Sequence, residues 1–172
     1  IKELENQRVI LITTEEHFPK SVNGSLGEAS LDMEIYTPIL SFLSDYQTHS
    51  IKAIIDSLSP DRENGKLFGQ VVQAITILIG NGTVAPAQTI VSQQCKEKSI
   101  EINRKLIELC VAGQDVGVLV SPITGGGVVV SHVNQFFIHG FSLGKNSDKD
   151  LVNHAFGLLE ALNRHITKGG NP

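Results

Sequence analysis

Three apolar stretches between residues 33 and 86, each with a polar start and a hard stop, constrain this chain more than any other feature. Residues 33–45 place Ile35, Ile39, Phe42 and Leu43 at helical spacing, with Asp32 as an N-cap. Pro38 is tolerated only in the first turns of a helix, which argues for a start nearer to it. A second helix is expected from about Ser50 to Leu58. Ser50 caps it, Ile51, Ile54, Ile55 and Leu58 form its apolar face, and Pro60 stops it. After the polar turn 61–65, a third helix is expected over about 66–79, with Val71, Val72, Ile75, Leu78 and Ile79 apolar. Gly80-Asn81-Gly82 ends it through residues that accept positive φ, and Thr83–Pro86 reads as extended.

Helix, helix, helix, then a strand entered through Gly-Asn-Gly is the order of a winged-helix unit. Ahead of it, residues 8–14 are β-branched and read as a buried strand. The stretch His17–Ser30, with Pro19, Gly24 and Gly27, reads as a loop or a turn with a short strand. Behind it, residues 89–112 form the longest expected helix, with Ile102, Leu106, Leu109 and Cys110 facing one way. Glu101–Lys105 and Arg104–Glu108 sit at i, i+4 on its exposed side, and Gly113 ends it. Residues 116–131 hold two β-branched runs around Pro122 and Gly125–Gly127, the pattern of paired strands. Further helices are expected at about 132–143 (Val133, Phe136, Phe137, Phe141 apolar) and 148–167 (Leu151, Phe156, Leu159, Leu162, Ile166 apolar).

The fold class is therefore α+β and predominantly helical: a winged-helix-like unit, a β-hairpin and further C-terminal helices. The expected division is an entry strand and loop at 1–32, the winged-helix-like unit at 33–86, and the long helix, hairpin and last helices at 87–172, packed with the preceding parts.

With 41% hydrophobic and 19% charged residues, the chain can bury a core. Its net charge of −4 and the absence of a basic run argue against nucleic acid, whose binders draw affinity from phosphate contacts. The third helix offers one Lys, two Gln and mostly apolar residues, too little to read bases and neutralise phosphates together. Its apolarity points to burial against a protein surface instead. Cys95 and Cys110 lie on one expected helix roughly 22 Å apart, far beyond disulfide reach. They read as reduced thiols of a cytoplasmic protein, with Cys110 in the core. No apolar run approaches the ~20 residues that span a bilayer, and the N-terminus lacks a signal-peptide pattern. A start at Ile1 and an end in Lys-Gly-Gly-Asn-Pro look like a segment cut from something longer.

No motif supplies a catalytic, cofactor or metal site. Gly125-Gly126-Gly127 is followed by Val128-Val129-Val130, a strand, and not by the helix start and Lys-Ser/Thr of a phosphate loop. It reads as a hairpin or bulge that needs positive φ. Neither Gly24-x-x-Gly27 nor Gly80-x-Gly82 follows a buried strand and opens a helix, so no dinucleotide or AdoMet signature is present. His132 and His139, two turns apart or roughly 10 Å, cannot share a metal without other ligands. His17, His49, His154 and His165 read as surface or helix-end residues. Ser121-Pro122 has no local base and no Gly-x-Ser-x-Gly elbow surrounds any serine.

Several segments look familiar together. They are Gly24-Ser-Leu-Gly27-Glu-Ala-Ser-Leu31 with Ile35-Tyr36-Thr-Pro38-Ile-Leu40, then Leu78-Ile-Gly80-Asn-Gly82-Thr-Val-Ala-Pro86, then Asn103-Arg-Lys-Leu106. Leu119-Val-Ser121-Pro122-Ile-Thr-Gly-Gly-Gly127-Val and Asn134-Gln135-Phe136-Phe137 complete the set. In this order they resemble the region C-terminal to the catalytic domain of bacterial AdoMet-dependent methyltransferases that carry a methyltransferase regulatory domain. The architecture is similar to that of rickettsial-type protein lysine methyltransferases. The resemblance implies a non-catalytic accessory module, with AdoMet bound by a catalytic domain upstream and no cofactor in this segment. The partners it implies are the methyltransferase domain of the same chain, a second copy, or a protein substrate, with neither nucleic acid nor membrane. The expected interaction surface comprises Ser121, Pro122, Gly125, Gly126, Gly127, His132 and Gln135. The alternative is a winged-helix DNA-binding regulator.

Overall fold

The computed structural model describes residues 2–24, 27–58 and 65–164. The fold is α+β and mostly helical, and it divides into two compact units, within residues 1–90 and 91–172.

The first unit begins with a short helix, α1 (Lys2–Asn6), and a strand, β1 (Arg8–Leu11). A 3-10 turn over Glu15–His17 leads to a hairpin of β2 (Ser21–Gly24) and β3 (Gly27–Ser30). Then come α2 (Met33–Leu43), the two-residue strand β4 (His49–Ser50), α3 (Ile51–Leu58), α4 (Gly65–Gly80) and β5 (Val84–Ala87). The caps explain the boundaries. Asp32 accepts from the Glu34 amide and starts α2 at Met33, so Pro38 stands in its second turn and not at its start. Both Pro38 and Glu34, whose carbonyl loses its partner there, face solvent. Ser50 accepts from the Ala53 amide at 3.1 Å at the head of α3. At the end of α4, Gly82 adopts φ +77° and the Asn81 side chain accepts from the Thr83 amide, which turns the chain into β5. The expected polar turn at 61–64 and the stop at Pro60 lie outside the described residues.

The sheet gives the winged-helix-like order a different closure. Its strands run β4-β1-β5, all antiparallel, with β1 in the middle. In a winged helix, the strand after the third helix folds back through a hairpin and supplies its own neighbour. Here β5 pairs instead with β1, which precedes all three helices (Val9 opposite Pro86, Leu11 opposite Val84). The Arg8 guanidinium also bonds the Thr48 carbonyl and its hydroxyl. Residues 2–32 and 33–87 thus share one core: Val9, Leu11 and Leu31 pack with Ile39, Leu40, Leu43, Ile54, Val71, Ile75, Leu78 and Val84.

That core also changes the meaning of α4. Val71, Ala74, Ile75 and Leu78 are buried, and Leu67, Val72, Ile77 and Ile79 pack against them. The apolarity of this helix is satisfied inside its own unit, against α2 and α3, and not by an outside protein surface. At roughly 25 cal/mol per Å² of apolar area, four fully buried aliphatics hold it in place firmly.

The second unit contains α5 (Gln93–Val111), β6 (Val118–Ser121), β7 (Gly126–Val129), α6 (His132–Ser142) and α7 (Asp148–Ala161). Ser92, Ser131 and Ser147 cap the three helices through their hydroxyls, which is why α5 starts at Gln93 and not at 89. Residues 165–167 of the last expected helix, among them His165 and Ile166, lie outside the described residues.

Two outcomes test the first unit. A fragment of residues 1–90 is expected to unfold cooperatively in urea, whereas residues 33–90, lacking the middle strand, are expected to show no cooperative transition. In the whole chain, Leu78→Ala should lower stability by about 2–5 kcal/mol in the same assay.

Candidate interaction site

The second unit has a small interior. Cys110, Phe136, Ala155 and Leu159 form its buried cluster. Eleven of the sixteen exposed large apolar side chains among the described residues lie in this unit, from Ile100 to Phe156. Several had been expected in the core: Ile102, Leu109, Phe141 and Phe156 are all exposed. On α5 the inward stripe is instead Ser99, Ile107 and Cys110, with Asn103 and Leu106 half-buried. A helix of this kind with apolar residues on more than one face leaves part of them outside whichever way it rotates.

The Gly-rich hairpin is a structural element with two amide clamps. The Asn103 side chain donates from Nδ2 to the Val120 carbonyl at 2.8 Å and accepts the Val120 amide on Oδ1 at 2.7 Å. It thereby pairs the outer edge of β6 as a neighbouring strand would. Gln135, fully buried, donates from Nε2 to the carbonyls of Val116 (2.5 Å) and Val130 (3.0 Å), tying the two ends of the hairpin together. Its Oε1 has no hydrogen-bond partner among the described residues. Gly125 takes φ +72° in the turn. A Cβ on Gly127 would stand 2.5 Å from Val118 Cγ1, so only glycine lets that valine lie across β7. Of the three glycines, Gly125 serves the turn and Gly127 this packing.

The expected surface of Ser121, Pro122, Gly125, Gly126, Gly127, His132 and Gln135 therefore separates into two sets. Gly125, Gly126 and Gly127 are exposed, and Ser121 and Pro122 are half-buried at the turn. Gln135 is interior and cannot present itself to a partner, because its amide is spent on the hairpin's base. His132 is half-buried in a polar brace: the Arg164 guanidinium donates to its Nδ1 at 2.9 Å and to the Gly113 carbonyl at 3.2 Å. That donor places the neutral ring's proton on Nε2, which lies 3.1 Å from the Asp115 carboxylate without the alignment of a hydrogen bond.

The apolar side chains converge elsewhere. Between α5 and α6 lies a groove of about 580 Å³, lined by Ile100, Asn103, Arg104, Ile107 and Glu108 from α5 and by Ile138, His139, Ser142 and Leu143 from α6 and its end. Ile100, Ile138 and Leu143 are 61%, 40% and 59% exposed, too much for core residues of this size. Arg104 and Glu108 put one charge of each sign on its wall. His139 reaches from the groove to His154 on α7, Nδ1 to Nε2 at 3.0 Å. Burial, then the charges of His139 and Lys145, lower the pKa of His154 from its ordinary value. The sequence spacing separates His139 from His132 by two turns; the partner of His139 is fifteen residues away on the next helix, a contact no spacing rule reveals.

Cys95 is exposed, and Cys110 is fully buried. Burial raises the Cys110 thiol above its usual pKa, with Arg164 opposing and Asp115 adding to the shift, so it is kept as a protonated core residue. Among the described residues, no group of three His, Cys, Asp or Glu is placed to hold a metal, and no helix is long and apolar enough to cross a membrane.

The clamp can be tested directly. Asn103→Ala removes both bonds to Val120 and should cost about 1–3 kcal/mol of stability in denaturant unfolding. Asn103→Asp should cost at least as much, because a carboxylate would face the Val120 carbonyl. No family model, curated protein or solved structure matches the chain.

Proposed function

We propose that this chain is a non-catalytic accessory module of a bacterial AdoMet-dependent methyltransferase, acting through protein–protein contact at the α5–α6 groove of its second unit. The observation that carries the contact is the groove itself, where Ile100, Ile138 and Leu143 stand half-exposed around Ile107. Apolar side chains gathered in one concave site, rimmed by Arg104 and Glu108, have the make-up of an interface centre with a polar rim. The parent enzyme is inferred from the ordered sequence segments that resemble the methyltransferase regulatory region, with Asn103 and Gln135 of those segments performing the clamping described above. On this reading AdoMet binds upstream, and the module serves assembly, regulation or engagement of a protein substrate, in the cytoplasm.

DNA readout would require α4 to offer a polar, basic face. Its buried apolar residues and single lysine favour the protein-contact reading over a winged-helix regulator.

The test is a binding experiment with the catalytic domain of the parent enzyme. Calorimetry of the isolated chain with AdoMet should give no heat of binding, and the catalytic domain should form a complex with it. Leu143→Asp in the groove should weaken that complex at least about tenfold, the scale of a buried interface anchor. Tight AdoMet binding by this chain, or a discrete low-salt complex with DNA, would sink the proposal.

A further inference from the structure

We propose that the His139–His154 contact is a proton-sensitive latch that holds α7 against α6 at neutral pH, releases it when both rings are protonated, and so loosens the α6 wall of the groove. The consequence for binding rests on the groove being the docking site; the latch itself does not.

The geometry supplies the device. A ring N–H···N bond at 3.0 Å needs one donor and one acceptor. Two neutral rings satisfy it, and so does a pair carrying a single extra proton. A second extra proton leaves both facing nitrogens as donors, with two positive charges across rings whose centroids are 5.1 Å apart. The contact sits beside a close approach of the two helices. A Cβ added at Gly140, next to His139, would meet Leu151 Cδ2 at 3.0 Å and His154 Cδ2 at 3.1 Å. Separation of the rings therefore acts next to this close packing of Gly140 on α7.

The charged and titratable groups around the pair do not cancel the second proton. From α5, Arg104 and Glu108 line the groove with His139, one of each sign. Lys145, in the link after α6, adds positive charge felt by His154. His154 is harder to protonate in the closed form than its ordinary value of 6.5 allows, so the released form binds the proton more tightly. Closure is thus complete above that value and is lost as pH falls through the lowered one.

Hydrogen exchange of the whole chain between pH 7.5 and 5.0, corrected for intrinsic rates, tests this at the amides of Leu151–Leu159. Opening should rise with acidity, by up to about tenfold per pH unit for each extra proton taken up. His154→Gln keeps a hydrogen-bonding group without the titration and should flatten the response. Should that variant fail to fold, His139→Asn tests the same bond from the other side. A flat profile in the unmodified chain, or an undiminished rise in a folded variant, would overturn the latch. No partner is present in the assay, so its result is independent of whether Leu143→Asp weakens a complex.

Discussion

Two side-chain amides hold up the second unit. A two-stranded hairpin is marginal in water unless a third strand or a packed face supports it, and among the described residues β6 and β7 join no larger sheet. Asn103 takes the place of the missing strand at Val120, and Gln135 closes the base at Val116 and Val130. These bonds fix the hairpin to α5 and α6, which also pack on each other directly through Cys110 and Phe136. Asn103 both binds β6 and lines the groove between the two helices.

The contrast between the units shows where apolar surface has been completed and where it has not. In the first, β1 enters from the N-terminal side to sit between β4 and β5, and three helices close over it until α4 has almost no apolar residue left for others. In the second, polar side chains do much of the organising. Ser99 and Gln135 are buried, while Ile100, Ile138, Phe141 and Leu143 stay outside. Burying an amide that satisfies two carbonyls stabilises the hairpin, but it occupies interior positions that could have held aliphatics. The aliphatics left on the surface lower the solubility of the isolated unit and favour its association with a partner.

Local signals made most of the elements legible. Asp32, Ser50 and Gly80-Asn81-Gly82 mark helix ends through bonds to neighbouring amides or through positive φ, and such bonds span only a few residues. The order of helices in the first unit could be read for the same reason. What could not be read was pairing across distance. That β5 finds β1, and that Asn103 finds Val120, depends on the chain's closure in space and leaves no spacing in the sequence. The site suffered most. Gln135 looked like a surface residue because it is polar and sits in a helix beside a Gly-rich loop, yet its role is interior. Ile102 and Leu109 looked like core because they are apolar and seven apart, yet the inward stripe runs through Ser99 and Cys110. Periodicity shows that a helix has an apolar face. It does not show which face wins when there are two.

The same non-local pairing bears on control. A groove built from one helix pair alone changes only as those two helices shift against each other. Here α6 is shared: one side lines the groove, and the other packs on α7 through Gly140, Leu151 and His154. A change in charge on the α7 side can therefore move the groove wall as a rigid helix, leaving the Ser131 and Ser147 caps intact. His139 belongs to both sides, with its backbone on the groove's helix and its ring nitrogen on α7's histidine. That dual membership lets a proton be felt at the groove without touching the apolar residues that form it.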